Sequence, residues 1–325
     1  MSRAARPPAE GPFPVPLATI DWLVSRENPG VRAVALRDLL GRPPRDPDLR
    51  RARQAAVRDP FLRDLLALVR ARLVPAPQVP LERRYDGGMW LALFLTEFGV
   101  DEAQPALKHA ADVLLARWEK AFVEIERGGR TADLDVPLFA AALRVLARTG
   151  RGGDPRVVGG AEEIARRSRA GKGRTVKDLL LLGELPEKAR TDVIRGAIAF
   201  LETRLVEAEI PAALAAGATP EILKAGYPCA DETDLFEMLA ALKAVRPAGR
   251  PIEPNVARAL AELASQADHR ARWKLERPRP ERLPLAPERT GDPSRWVTLR
   301  ALTILQHFRG LAVPSTAPAR RATSK

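Results

Sequence analysis

A polar residue, then a proline, then a helix-forming run recurs along this chain. It occurs at Asn28-Pro29, Asp46-Pro47, Asp59-Pro60, Asp154-Pro155, Thr219-Pro220 and Asp292-Pro293. The Asn, Asp or Thr side chain accepts hydrogen bonds from the first unpaired helical amides. Proline at the next position lacks the N–H that would be orphaned there. So many helix starts predict a chain of helices laid back to back, and no segment shows the strict alternation of a half-buried strand.

The helices alternate in character. Gly88 to Gly99 is apolar nearly all round, as in a helix buried on several sides, and its partner Pro105 to Arg117 is amphipathic. The pair recurs as Val136 to Gly150 with Asp154 to Arg169, as Thr175 to Gly183 with Thr191 to Val206, and as Asp234 to Val245 with Val256 to Ala267. A first hairpin runs from Asp21 to Arg72, and Ser294 to Phe308 is a last, strongly apolar helix. The period is roughly 40–60 residues, longer and less regular than a tetratricopeptide array. An alternation of buried and amphipathic helices is what two layers require, the inner covered by the outer. The expected organisation is a disordered Pro-rich leader at 1–20, a single all-α domain at 21–310 and a disordered basic tail at 311–325.

No apolar run approaches the ~20 residues that span a bilayer, and Met1 to Pro16 has no apolar signal core. The single cysteine, Cys229, excludes an intramolecular disulfide and a thiolate-rich metal site, so a cytoplasmic location is the expectation. The formal charge of +12, carried mostly by arginine, keeps a polyanionic partner open.

Tyr85-Asp86-Gly87-Gly88-Met89-Trp90, the recurring Gly, acid and Pro at the hairpin turns, and the C-terminal third together resemble a known superfamily. In that third, Gln266, Ala271 and Trp273 look like a degraded Gln…Gly-x-Trp repeat, and Gly291 to Arg300 resembles a closing segment. The chain is similar to the α/α toroids of terpenoid and squalene cyclases and protein prenyltransferase β-subunits. Within them it is nearest to short bacterial squalene-cyclase-like proteins. The resemblance covers most of Asp21 to Phe308. It implies one α/α toroid of about six helical hairpins, two concentric helix layers around a central cavity. Two departures stand out. There is no Asp-x-Asp-Asp, the motif of the class II cyclase acid; Asp133-Leu134-Asp135-Val136 has only two of its carboxylates. There is no Asp-Asp-x-x-Asp either.

In a toroid the inner helices run parallel and their N-termini share one mouth. That places Tyr85, Asp86 and Trp90, Asp133 and Asp135, Asp231 and Asp234, and Arg295, Trp296 and Thr298 around it, with Trp273 from the degraded repeat. Asp133 and Asp135 are the catalytic candidates and the others are cavity or ligand candidates. Aromatic faces stabilise cations, and a desolvated Asp serves as an acid. Acids at helix N-termini are equally explained as caps that complement the helix dipole. No cofactor is expected. Zinc, implied by the prenyltransferase resemblance, lacks converging ligands: the local order is Cys229-Ala230-Asp231, and His307 falls about 20 Å along its helix from Ser294.

Two functions follow as expectations. The first is a cyclase-like protein binding an apolar, isoprenoid-like small molecule in its cavity. The second is an Arg-rich helical scaffold for nucleic acid or an acidic protein, suggested by Asn28 to Leu36, which resembles a HEAT unit, and by the basic patches at Arg166 to Lys177, Arg270 to Arg282 and the tail. Acids such as Glu162, Glu163 and Glu276 intersperse with those arginines.

Overall fold

The computed structural model describes residues 11–74, 79–100, 103–128, 134–215, 221–230, 232–277, 284–285 and 288–313. Its first group of helices is α1 (Leu17–Leu23), α2 (Pro29–Val34) with a π-helical continuation at Ala35–Leu39, α3 (Pro47–Ala56) and α4 (Pro60–Arg72). There follow α5 (Gly88–Glu97), α6 (Pro105–Arg117), α7 (Glu119–Glu126), α8 (Val136–Leu146) with a π-helical turn at Ala147–Arg151, α9 (Pro155–Arg169) and α10 (Thr175–Glu184). The chain continues through α11 (Asp192–Arg204), α12 (Ile210–Ala215), α13 (Leu235–Val245), α14 (Pro254–Ser265) and α15 (Arg295–Arg309). The protein is all-α; its only strand pairing of any extent among the described residues is β1 (Phe13–Pro14) with β2 (Leu311–Ala312).

The cap-and-proline starts are real at four places. Asn28 accepts from the Val31 amide at 3.2 Å, Asp46 from Leu49 at 3.0 Å, Asp59 from Leu62 at 3.2 Å and Asp154 from Arg156 at 3.0 Å, each with proline in the first turn. Thr219-Pro220 lies outside the described residues. Asp292-Pro293 departs from the pattern. The Leu275 amide donates to the Asp292 carbonyl at 3.1 Å and the Ser294 amide to Trp273 at 2.8 Å. This pairing holds Asp292-Pro293 extended, and Ser294 caps α15 instead, accepting from Val297 at 2.9 Å.

The apolar helices pack on one another in series. α5 packs on α8, α8 on α10, α10 on α13 and α13 on α15, and α15 returns to α2 and its π-helical continuation. Gly99 after α5 comes close to the end of α2: a Cβ on Gly99 would lie 2.2 Å from Val34 Cγ2. The amphipathic helices cover this series. α6 packs on α5 and α8, α9 on α8 and α10, α11 on α10 and α9, and α14 on α13 and α15. Gly88 to Leu95 are all buried, as an inner helix demands. Gly183 lets α10 and α13 come into backbone contact, since a Cβ there would sit 2.7 Å from Ala244 Cβ and 2.9 Å from its carbonyl oxygen.

The hydrophobic core is one large cluster reaching from Val15 to Leu305, with a small second cluster of Ala33, Leu36, Leu49 and Ala52 between α2 and α3. Val15 and Ile20 are buried, Phe13 packs its ring 5.8 Å from Trp273, and Phe13 and Pro14 pair with Leu311 and Ala312. Described residues of the expected leader and of the expected tail thus pack onto the core.

Candidate functional site

Most of the sequence candidates sit at the N-terminal ends of the inner helices, and there they serve the fold. Asp135 caps α8 at the surface, accepting from Leu138 at 3.1 Å. Asp86 is held by Arg83, with Nε to Oδ1 at 2.7 Å. The Tyr85 hydroxyl donates to the Glu232 carboxylate, and burial together with that acid pushes its pKa up. Trp90 Nε1 donates to the Glu82 carbonyl at 2.9 Å, and Trp273 Nε1 to Leu263 at 2.7 Å. The Thr298 hydroxyl oxygen accepts from the Trp273 amide at 3.0 Å. Arg295 lies 4.9 Å over the Trp22 ring and 3.3 Å from Glu27. Asp133 and Asp231 fall outside the described residues. Two cavities lie at this end, one of about 20 Å³ beside Trp90, Pro137, Lys177 and Asp178 and one of about 510 Å³ beside Thr175, Lys177, Thr233 and Met238, between the starts of α10 and α13 and the outer helices.

A further cavity, about 280 Å³, is lined by the last turns of α5, α8 and α10, by α13 along its length and by the first turns and middle of α15. Five of the inner helices and the turn after α2 each contribute charged or apolar groups to it. Of the sequence candidates, only Trp296 lines it; Asp234 supports it from behind. Segment 225–230 is buried except at Tyr227, whose ring stacks on Trp296 at 5.6 Å and meets the edge of Phe98 at 5.3 Å.

One wall of the cavity is an ionic network drawn from three helices. Arg144 reaches Glu184 at 3.0 Å and Glu97 at 3.4 Å; Arg148 reaches Glu184 at 3.2 Å and Glu97 at 3.5 Å. Burial of Arg144 opposes its charge, but Glu184 and Glu97 outweigh that and raise its pKa. A buried pair that loses one partner is costly, so these four side chains hold one another in place.

The floor is built around α13. Asp234 caps that helix from a fully buried position, accepting from the Glu237 amide at 2.7 Å and the Gly226 amide at 3.2 Å. Glu237 is held by Lys177 at 2.5 Å. Burial pushes the Glu237 pKa up, and Lys177 and Arg300 offset part of that. The Cys229 thiol donates to the Gly226 carbonyl at 3.3 Å; burial, then Asp234, pushes its pKa well up, so it is a neutral thiol and not a nucleophile. Arg300 rises from α15 with only long contacts: 3.5 Å to Gly226, 3.7 Å to Asp234 and 3.9 Å to Glu237.

At the rim, Lys243 is in no ion pair among the described residues, and burial lowers its pKa. No group of three His, Cys, Asp and Glu side chains among the described residues is placed to hold a metal ion. Chemically, the cavity offers unsatisfied donors beside an aromatic wall and already paired acids. Comparison with protein-family models, with curated proteins and with solved structures yields no match to the chain.

Proposed function

We infer that the chain is an α/α toroid of cyclase-like build that binds a small polar molecule in its central cavity. The cyclic order of the inner helices, each covered by amphipathic ones, supports the toroid. The observation that carries the binding reading is the cavity itself, because it holds polar groups that the protein leaves unserved. Arg300 has no partner closer than 3.5 Å, and the Tyr227 hydroxyl has no hydrogen-bond partner among the described residues. Both side chains are half-buried, so their unused donors are open to the cavity and available to a bound molecule.

Size and lining narrow the ligand. An apolar cavity of about 150 Å³ accommodates benzene, so 280 Å³ suits a molecule of about a dozen non-hydrogen atoms rather than a polyprenyl chain. Asp38, Glu97, Glu184 and Glu237 face Arg144, Arg148, Lys243 and Arg300 across it, which favours a polar ligand over an isoprenoid. The scaffold reading draws less support. Arg166 and Arg167 of the basic patch are both engaged by Glu163, leaving a mixed surface rather than a cationic stripe.

The test is to extract gently purified protein and identify retained small molecules by mass spectrometry, for the native chain and for Ala240→Phe. Ala240 lines the cavity, and a phenylalanine there would occupy it. The expected outcome is a stoichiometric small molecule in the native protein that the folded variant lacks. Equal retention by both would place the ligand elsewhere and end this reading.

A further inference from the structure

We propose that the floor of the cavity is a carboxylate-binding subsite, in which the Arg300 guanidinium and the Tyr227 hydroxyl hold the anionic group of a small organic acid. This rests on the cavity-binding reading above and names the chemical class of its ligand.

The acids around Arg300 are already served by others. Lys177 takes Glu237 at 2.5 Å, and two backbone amides take Asp234. Arg300 is therefore left at 3.7 and 3.9 Å from these carboxylates. A guanidinium engages a carboxylate at about 2.7–2.9 Å and has five N–H donors to place. Its charge is nonetheless secure: burial opposes it, and the Asp234 and Glu237 carboxylates more than compensate. Arg300 is thus a half-buried cation with donors to spare.

Tyr227 supplies the second donor. Its ring is clamped between Trp296 and Phe98, so the hydroxyl is held in place without a partner of its own. Arg148 and Arg300 line the same cavity as Tyr227, so the three side chains border one space. Leu180, Ala240, Leu299 and Ile304 line the remainder, which suits an apolar body. The anion is a carboxylate rather than a phosphate because Asp234, Glu237 and Glu97 lie close by. A singly charged carboxylate meets less repulsion from these three acids than the near-dianion of a phosphate ester would.

The experiment uses benzoate as the probe, with benzamide as its neutral isostere and inorganic phosphate as the alternative anion. Binding is read by ligand-observed NMR and by the shift in thermal midpoint. Benzoate should bind and stabilise the protein, while benzamide and phosphate should not. Tyr227→Phe removes only an oxygen that has no partner in the free protein, so its own midpoint should match the native one. It should weaken benzoate about tenfold, the scale of a hydrogen bond to a charged group. Arg300→Lys keeps the charge beside Asp234 but loses the planar fork, and should weaken benzoate at least as much. Benzamide or phosphate binding as well as benzoate, no benzoate binding at all, or unchanged affinity in Tyr227→Phe and Arg300→Lys would each overturn the assignment. None of these results would touch the cavity reading, which stands or falls on the ligand lost by Ala240→Phe.

Discussion

At the N-terminal ends of α8, α13 and α15, Asp135, Asp234 and Ser294 each accept from the amide three residues on. At the C-terminal ends of α5, α8 and α10, Glu97, Arg144, Arg148 and Glu184 hold one another instead. Acids at helix starts agree with the helix dipole and relieve unpaired amides, so their presence needs no further cause. Glutamates in the last turn oppose the dipole and are stable here only because arginines from a neighbouring helix meet them. Local rules are obeyed at the first end and broken at the second, and the broken end holds the cavity. Conflicts of this kind are expected where a protein gives up local stability for a site.

The comparison is most exposed at Arg144. Replacing it with leucine leaves Glu97 and Glu184 in a mostly buried setting with Arg148 alone. Loss of one member of a buried ionic cluster costs about 3–5 kcal/mol. Urea unfolding of Arg144→Leu should show a loss on that scale, and a loss below about 1 kcal/mol would mean the network is solvated like a surface pair.

Asp178, near the start of α10, offers a smaller test at the opposite end. It is buried, and its carboxylate accepts from the Ser168 hydroxyl at 2.6 Å and the Arg174 amide at 2.8 Å. Burial outweighs both and pushes its pKa from 3.8 up to about 6. The folded chain then binds more protons than the unfolded chain between those pH values. Stability from this group therefore falls as pH rises from about 3.8 to about 6 and stays low above it. Asp178→Asn should stabilise the protein at pH 7 by about 1–3 kcal/mol, and by nothing near pH 3.5. Parallel stability curves for the two proteins across that range would show that burial does not govern Asp178.

Helix starts were legible because a cap and a proline act within one turn, and because alternation of apolar and amphipathic runs reports which layer a helix joins. Asp292-Pro293 misled because its conformation is set by pairing with Trp273 and Leu275, outside the local window. The short amphipathic α7 and α12 went unread, since neither carries the cap-and-proline signal. The cavity was hidden for a different reason. Glu97, Arg144 and Glu184 meet only after three helices pack, and Tyr227 lies in a buried segment without periodicity. One signal was available: a glutamate ends both α5 and α10, against the dipole preference, and an arginine lies in the last turn of α8 between them. Trp296 was found because an aromatic residue stands out at a helix start whatever its role.

The gentlest test bears on Asp135, the described member of the acid pair first suspected of catalysis. It is exposed, it has one visible task, and it is separated from the cavity by the length of α8. Asp135→Ala should cost about 1 kcal/mol, the usual loss for an N-cap, and should leave retention of the cavity ligand unchanged within experimental error. Measured side by side, unfolding and ligand retention separate the two explanations. A normal cap loss with full retention keeps chemistry at the C-terminal end. Lost retention without lost stability would bring the N-terminal acids back into the site, and the contrast between the two ends would no longer hold.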